Sequence, residues 1–202
     1  MTLLACSSYR AEVYRLFETF RKYHPTDKII WILADKQPLS KSDEGLIKEY
    51  FGNMEIVYHY VNMYFWHYEL IKYQPQWTII VQVALNISDD DIILRCDAFD
   101  LLLQHKFDCG YIDNNVILCG TETMAYKDNV GAICWWDETK KMIYGDDIVM
   151  NSGVVAAFGK TFKKMAVEMA YGNYPGVYSD QALLHIIGKT IVTGKQIGRA
   201  HV

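Results

Sequence analysis

The chain has 202 residues, 51% hydrophobic and 22% charged, with a formal net charge of −4. That balance suits a globular fold with a sizeable core and excludes a disordered chain, and the slight acidity leaves no footprint for nucleic acid or an anionic membrane. No apolar run approaches bilayer length, the opening MTLLACSSYRAE lacks the basic head of a signal peptide, and five scattered cysteines without a CxxC pair read as reduced thiols, so a cytoplasmic protein is expected.

Thr2 to Ala5 predicts a short strand that ends in the small polar turn Cys6-Ser7-Ser8. Tyr9 to Tyr23 follows, with Val13, Leu16, Phe17 and Phe20 at helical spacing, and Pro25 stops it. Ile29 to Ala34 is a buried-type strand. Ser42 to Phe51 predicts a helix with Ser42 as N-cap and Gly52 just past its end. Met54 to Tyr60 reads as a strand and Met63 to Tyr73 as a helix. Trp77 to Leu85 fits either. Asp90 to Leu94 and Val116 to Cys119 read as strands, and Asp89 to Asp91 as a solvated turn before the first of them. Ile148 to Ala157 is a strand interrupted at Asn151-Ser152-Gly153, which reads either as a site segment or as a β-bulge. Lys160 to Tyr171 is a helix. Ser179 caps a last helix, Asp180 to Ile187, which Gly188 closes.

Strand and helix alternate through the first half. The expected fold class is therefore α/β, with a mostly parallel central sheet flanked by helices, in a single domain over residues 1–196. Ligands of such sheets bind outside the carboxyl ends of the strands. Three stretches fall there: Ser7-Ser8, Asp97 to Asp100, and Asn151-Ser152-Gly153.

The stretch DDDIILRCDAFDLLLQ, residues 89–104, places Asp97 and Asp100 between two apolar runs. In a turn, residues three apart share a side, where two carboxylates repel unless a divalent cation lies between them. Hard oxygen ligands select Mn²⁺ or Mg²⁺. Two carboxylates leave coordination positions that a diphosphate can fill, which suits a reaction with a nucleoside diphosphate as leaving group. The spacing alone favours the simpler reading, a helix cap at Asp97 with Asp100 facing water.

Four stretches, in order, carry a resemblance. The strand leading to DAFDLLLQ resembles the "DxYDV" segment in the glycosyltransferase domain of procollagen lysyl hydroxylases and their viral and bacterial relatives. VILCGTETMAYKDNVGAICWW resembles that family's next segment, IVMNSGVVAAFGKTFKKM its "LNSG" strand and following helix, and YSDQALLHIIG its "DDQ" helix. The resemblance covers residues 80–190. It implies a GT-A fold and transfer of a hexose from a UDP-sugar to a hydroxyl acceptor, hydroxylysine-like or glycan, with Mn²⁺ as cofactor. It further implies Asp97 and Asp100 as metal ligands. Asn151, Ser152 and Gly153 would line the sugar and acceptor side. Glu122 and Trp135 would shape the pocket, and Asp180 and Gln181 would face donor sugar and acceptor. Cys6, Ser7 and Ser8 would sit beside the uridine. The family's first Asp of "DDQ" is Ser179 here, and its last metal-ligating histidine has no counterpart at His185, which sits on an apolar helical run. His24, His59, His67 and His105 lack metal-like spacing and read as structural.

The tail IGRAHV, residues 197–202, matches one reading frame of the sequencing-library adapter ATCGGAAGAGCACACGTC, which sets the expectation that the natural chain runs on past about Gln196; the alternative reading is a genuine C-terminal tail. Two other functions stay open at this point. One is a non-catalytic nucleotide-sugar-binding or remnant domain. The other is a phosphohydrolase with an aspartate nucleophile, for which Asp97 to Asp100 followed by three leucines lacks the usual second acid and downstream lysine pattern.

Overall fold

The structure is a computed structural model that describes residues 1–7, 12–35, 37–60, 74–98 and 102–191. The expected helix over 63–73 and the tail 197–202 lie outside the described residues. The chain divides into two compact units, Met1–His67 with Asp91–Tyr111, and Tyr68–Asp90 with Ile112–Val202. Among the described residues no helix is long and apolar enough to cross a membrane.

The first unit holds β1 (Thr2–Ser7), α1 (Val13–Tyr23), β2 (Lys28–Asp35), α2 (Lys41–Phe51), β3 (Met54–Tyr60) and, later in the chain, the strand Ile92–Asp97, which is β4 once numbered in order. Its strands lie in the order β3-β2-β1-β4, each pair parallel. Strands buried on both faces need near-continuous apolar runs. β1 has every residue buried, and Ile29 to Leu33 of β2 are buried in sequence. α1 turns Val13, Leu16, Phe17 and Phe20 inward, at the spacing of one helix face. Phe17 makes edge contacts with Trp31 at 5.5 Å and with Phe51 at 5.3 Å between ring centroids, locking α1 to β2 and α2.

Two helix ends in this unit test the capping rules. Ser40 rather than Ser42 caps α2: its backbone is extended, and its hydroxyl accepts from the Asp43 amide at 3.1 Å. Ser42 is already helical, two residues past the cap position. Gly52 closes the helix with φ of +71°, as its position predicts. The acids of residues 89–91 do more than meet water. Asp91 accepts from the Thr2 hydroxyl at 2.6 Å and pairs with the terminal amine of Met1 at 3.0 Å.

The second unit holds α3 (Gln74–Ala84), β5 (Leu118–Ala125), α4 (Val130–Ile133), α5 (Glu138–Tyr144), β6 (Ile148–Phe158), α6 (Gly159–Tyr171) and α7 (Asp180–Ile191). The ambiguous run Trp77 to Leu85 is helical because Trp77, Ile80, Val81 and Ala84 form one buried face, which packs on α6. β5 starts later than expected and runs further, to Ala125, antiparallel to β6. β6 is not broken at Asn151-Ser152-Gly153. Cys119 pairs with Val155 and Gly120 with Asn151, so Ser152, Gly153 and Val154 bulge from a continuous strand. Gly188 does not end α7, which continues to Ile191. A glycine stops a helix by turning left-handed, and positive φ occurs only at Gly52 and Gly176 among the described glycines. A small core of Tyr126, Ala132, Trp136, Val149 and Ala182 ties α4, β6 and α7 together.

Candidate functional site

Parallel pairing brings the carboxyl ends of all four strands of the first unit to one edge, where β1 ends in Ser7, β2 in Asp35 and β4 in Asp97. Asp97 lies beside Cys6 in register, and the Ala98 amide donates to the Cys6 carbonyl at 3.1 Å. The Asp97 side chain is 43% exposed, whereas Arg95 on the same strand face is 1% exposed and donates from Nη2 to Asp97 Oδ1 at 2.7 Å. A charged donor and acceptor make this a strong contact. Cys96 points to the other face, where burial pushes its thiol up to about 12. The sequence reading missed Arg95. The signal was there, since residues two apart on a strand share a face and LRCD sets a cation behind an acid.

The turn after β1 differs from its expected role. Ser7 is buried and its hydroxyl accepts from Trp31 Nε1 at 2.8 Å. Cys6 is buried as well. Both side chains are therefore buried in the core. Ser8 and Asp100 lie outside the described residues. Among the described residues no three His, Cys, Asp or Glu side chains cluster as a metal site. Asp97 fits a hard divalent cation in chemistry: a partly exposed carboxylate at the carboxyl end of β4.

Helix α1 grips the chain downstream of this acid. The Leu103 amide donates to Thr19 Oγ1 at 3.2 Å, the Tyr23 hydroxyl donates to the Gln104 carbonyl at 2.6 Å, and the Phe107 amide donates to His24 Nε2 at 3.2 Å. A backbone amide can only donate, so His24 Nε2 is unprotonated and Nδ1–H faces Asp27 Oδ2 at 3.0 Å. Burial holds the His24 pKa below its ordinary value, against the opposing pull of Asp27. His24 is structural, as its isolation in sequence suggests.

In the second unit the bulge of β6 meets the start of α7. Ser152 Oγ donates to Asp180 Oδ2 at 2.8 Å, Gln181 Nε2 donates to the Met150 carbonyl at 3.0 Å, and the Gly153 amide donates to Asn151 Oδ1 at 2.7 Å. Ser179 caps α7 by accepting from the Ala182 amide at 3.1 Å. Five expected site residues, Asn151, Ser152, Gly153, Asp180 and Gln181, thus come together. Gln181 spends its amide on the strand backbone. Trp135 packs partly buried on the small core, 6.4 Å from the Tyr126 ring, while Trp136 is core. The Tyr178 amide donates to the Trp135 carbonyl at 2.8 Å and the Asp137 amide to the Gly176 carbonyl at 2.9 Å, zipping this segment to the approach to α7. Glu122 lies on β5 where the pairing with β6 shifts register, and its side chain is outside the description. His185 is sealed in, with Nε2 2.9 Å from Asp147 Oδ2 and Tyr126, Trp136 and Tyr144 around its ring.

No protein-family model matches the chain, and no curated protein matches its sequence. Solved structures do match. The galactosyltransferase LgtC, in complex with donor and acceptor sugar analogs, is similar at 17% identity over 96% of this chain and 73% of that one, with a TM-score of 0.57. Mouse xyloside xylosyltransferase 1 is similar at 12% identity over 98% and 85%, with a TM-score of 0.58. The glycosyltransferase GlyE of Streptococcus pneumoniae is similar at 11% identity over 96% and 44%, with a TM-score of 0.53. The shared feature is the fold: α/β, of the GT-A type. None of these three is a procollagen lysyl hydroxylase.

Proposed function

We propose that this chain is a metal-dependent glycosyltransferase that moves a hexose from a UDP-sugar to a hydroxyl acceptor. The observation that carries the reading is Asp97: a partly exposed carboxylate at the carboxyl end of β4, beside β1, in a fold of the GT-A type. Asp97, with Asp100 behind it in sequence, would hold Mn²⁺ or Mg²⁺. The bound ion supplies charge neutralisation for the departing diphosphate. In the transfer, the bond from the anomeric carbon to the phosphate oxygen breaks and UDP keeps the electron pair. A bond forms to the acceptor oxygen, which loses its proton.

Asp180 is the candidate to accept hydrogen bonds from sugar hydroxyls, or that proton if configuration inverts. Its place in the first turn of α7 favours its charge, and the Ser152 hydroxyl fixes its orientation. Gly153 sits in the bulge and Asn151 at its edge, and they would present backbone and amide to the sugar. The peptide groups of Cys6, Ser7 and Ser8 would flank the uridine, and Glu122 and Trp135 would wall the pocket. The likeness to procollagen lysyl hydroxylases suggests a hydroxylysine-like or glycan acceptor. Five free thiols suit a reducing, cytoplasm-like compartment.

The test is calorimetric titration of UDP into the chain with and without Mn²⁺, repeated on Asp97→Asn and Asp100→Asn, followed by UDP-sugar turnover. Mn²⁺-dependent UDP binding that both variants lose supports the reading. UDP affinity equal in all three proteins overturns the metal role. Binding without hydrolysis or transfer of any UDP-hexose would make the chain a nucleotide-sugar-binding domain instead.

A further inference from the structure

Arg95 is an odd residue for its place. It sits between Leu94 and Cys96 in a strand whose other residues before Asp97 are apolar, 1% exposed, with Asp97 Oδ1 2.7 Å from its Nη2. Burying a guanidinium costs more than burying a methionine or leucine of similar size, so the charge is held there at some expense to stability. The carboxylate it meets is the candidate metal ligand at the carboxyl end of β4.

We infer that Arg95 is a positioning residue that sets how tightly the β4 edge holds a divalent cation, by sharing the Asp97 carboxylate with it. The inference rests on the metal reading proposed above. Arginine keeps its charge at every working pH. With Oδ1 bonded to the guanidinium, chelation of a cation through both Asp97 oxygens is closed unless the pair opens. A cation bound to this carboxylate also lies within several ångströms of a fixed positive charge, and in a partly buried setting that repulsion is weakly screened. Asp97 therefore meets the cation in one fixed orientation and already half-neutralised. Both effects favour a weakly held ion that leaves readily with its diphosphate.

Mn²⁺ binding to the full chain, read by electron paramagnetic resonance of the free ion, tests this in the wild type, Arg95→Gln, Arg95→Lys and Asp97→Asn. Arg95→Gln removes the charge and keeps a donor, and is expected to bind Mn²⁺ about tenfold more tightly. Arg95→Lys keeps the charge and is expected to match the wild type. Asp97→Asn is expected to lose the ion. Binding that appears only in Arg95→Gln supports the inference too. Folded Arg95→Gln with unchanged or weaker binding overturns it while leaving the metal reading in place. No binding in any of the four proteins overturns both. Should Arg95→Gln fail to fold, the wild type decides: saturating Mg²⁺ should shift the Arg95 side-chain ¹⁵N resonances, and resonances that stay put overturn the inference.

Discussion

Ser152 Oγ donates to Asp180 Oδ2 at 2.8 Å, joining the bulge of β6 to the first turn of α7. One hydroxyl thus fixes one carboxylate across 28 residues of sequence. Ser152→Ala should lower stability by about 1 kcal/mol, the net worth of such a hydrogen bond. If Asp180 takes part in sugar transfer, the same variant should lower kcat about tenfold. Asp180→Asn keeps an acceptor for Ser152 and should leave the melting temperature nearly unchanged while transfer falls about a hundredfold. Wild-type kcat in Asp180→Asn would remove Asp180 from the reaction.

Asp97→Ala takes a charged hydrogen-bond partner away from a buried guanidinium. Even without any cation it should lower stability by about 1–3 kcal/mol in urea unfolding, less than for a fully buried pair because Asp97 is half in water. Adding Arg95→Met should recover part of the loss. Additive losses in that double variant would show that the two side chains do not interact.

Gly176 has φ of +75°, and a Cβ there would stand 1.8 Å from Asp137 Oδ2. Asp137 caps α5 by accepting from the Lys140 amide at 2.8 Å. Gly176→Ala combines left-handed strain with loss of that cap, and should cost about 1–3 kcal/mol. A variant as stable as wild type would mean that this turn relaxes freely.

His24 makes stability depend on pH. Its neighbours are Asp27, the Met1 amine, Lys106 and Arg21, and burial dominates in lowering its pKa below 6.5. A lowered pKa means that the unfolded chain takes up the proton first. The stabilisation is thus present above about pH 6.5 and is lost as pH falls through the lower folded value. Protonated Nε2 would oppose the Phe107 amide, so exchange of that amide should quicken on acidification. His59, also lowered by burial, contributes the same sign. His24→Asn should flatten the slope, and an unchanged slope would assign it elsewhere.

Thiol labelling should separate the cysteines. Cys134 is exposed and should react first, while buried Cys6 and Cys96 should wait for unfolding. Cys96 is doubly protected, because burial raises its pKa to about 12. Fast labelling of Cys96 in the native chain would contradict the packing of β1 against β4.

The sequence by itself determined most of the elements. Apolar runs and helical spacing located β1 to β4, α1, α2 and α6, because burial period is a local property of the chain. It also picked out residues that the fold gathers in the second unit, Asn151 to Gly153 with Asp180 and Gln181. Tertiary structure decided what pattern could not. Trp77 to Leu85 became a helix because α6 supplies a partner for one face. Ser152 to Val154 became a bulge because the pairing partner β5 is short by three residues there. Ser7 turned inward because Trp31, 24 residues away, offered its indole N–H. Partners for buried polar groups are set by contacts distant in sequence. That is why Arg95 behind Asp97, though spelled out two residues apart, gained meaning only once one of the two was seen to be buried and the other not.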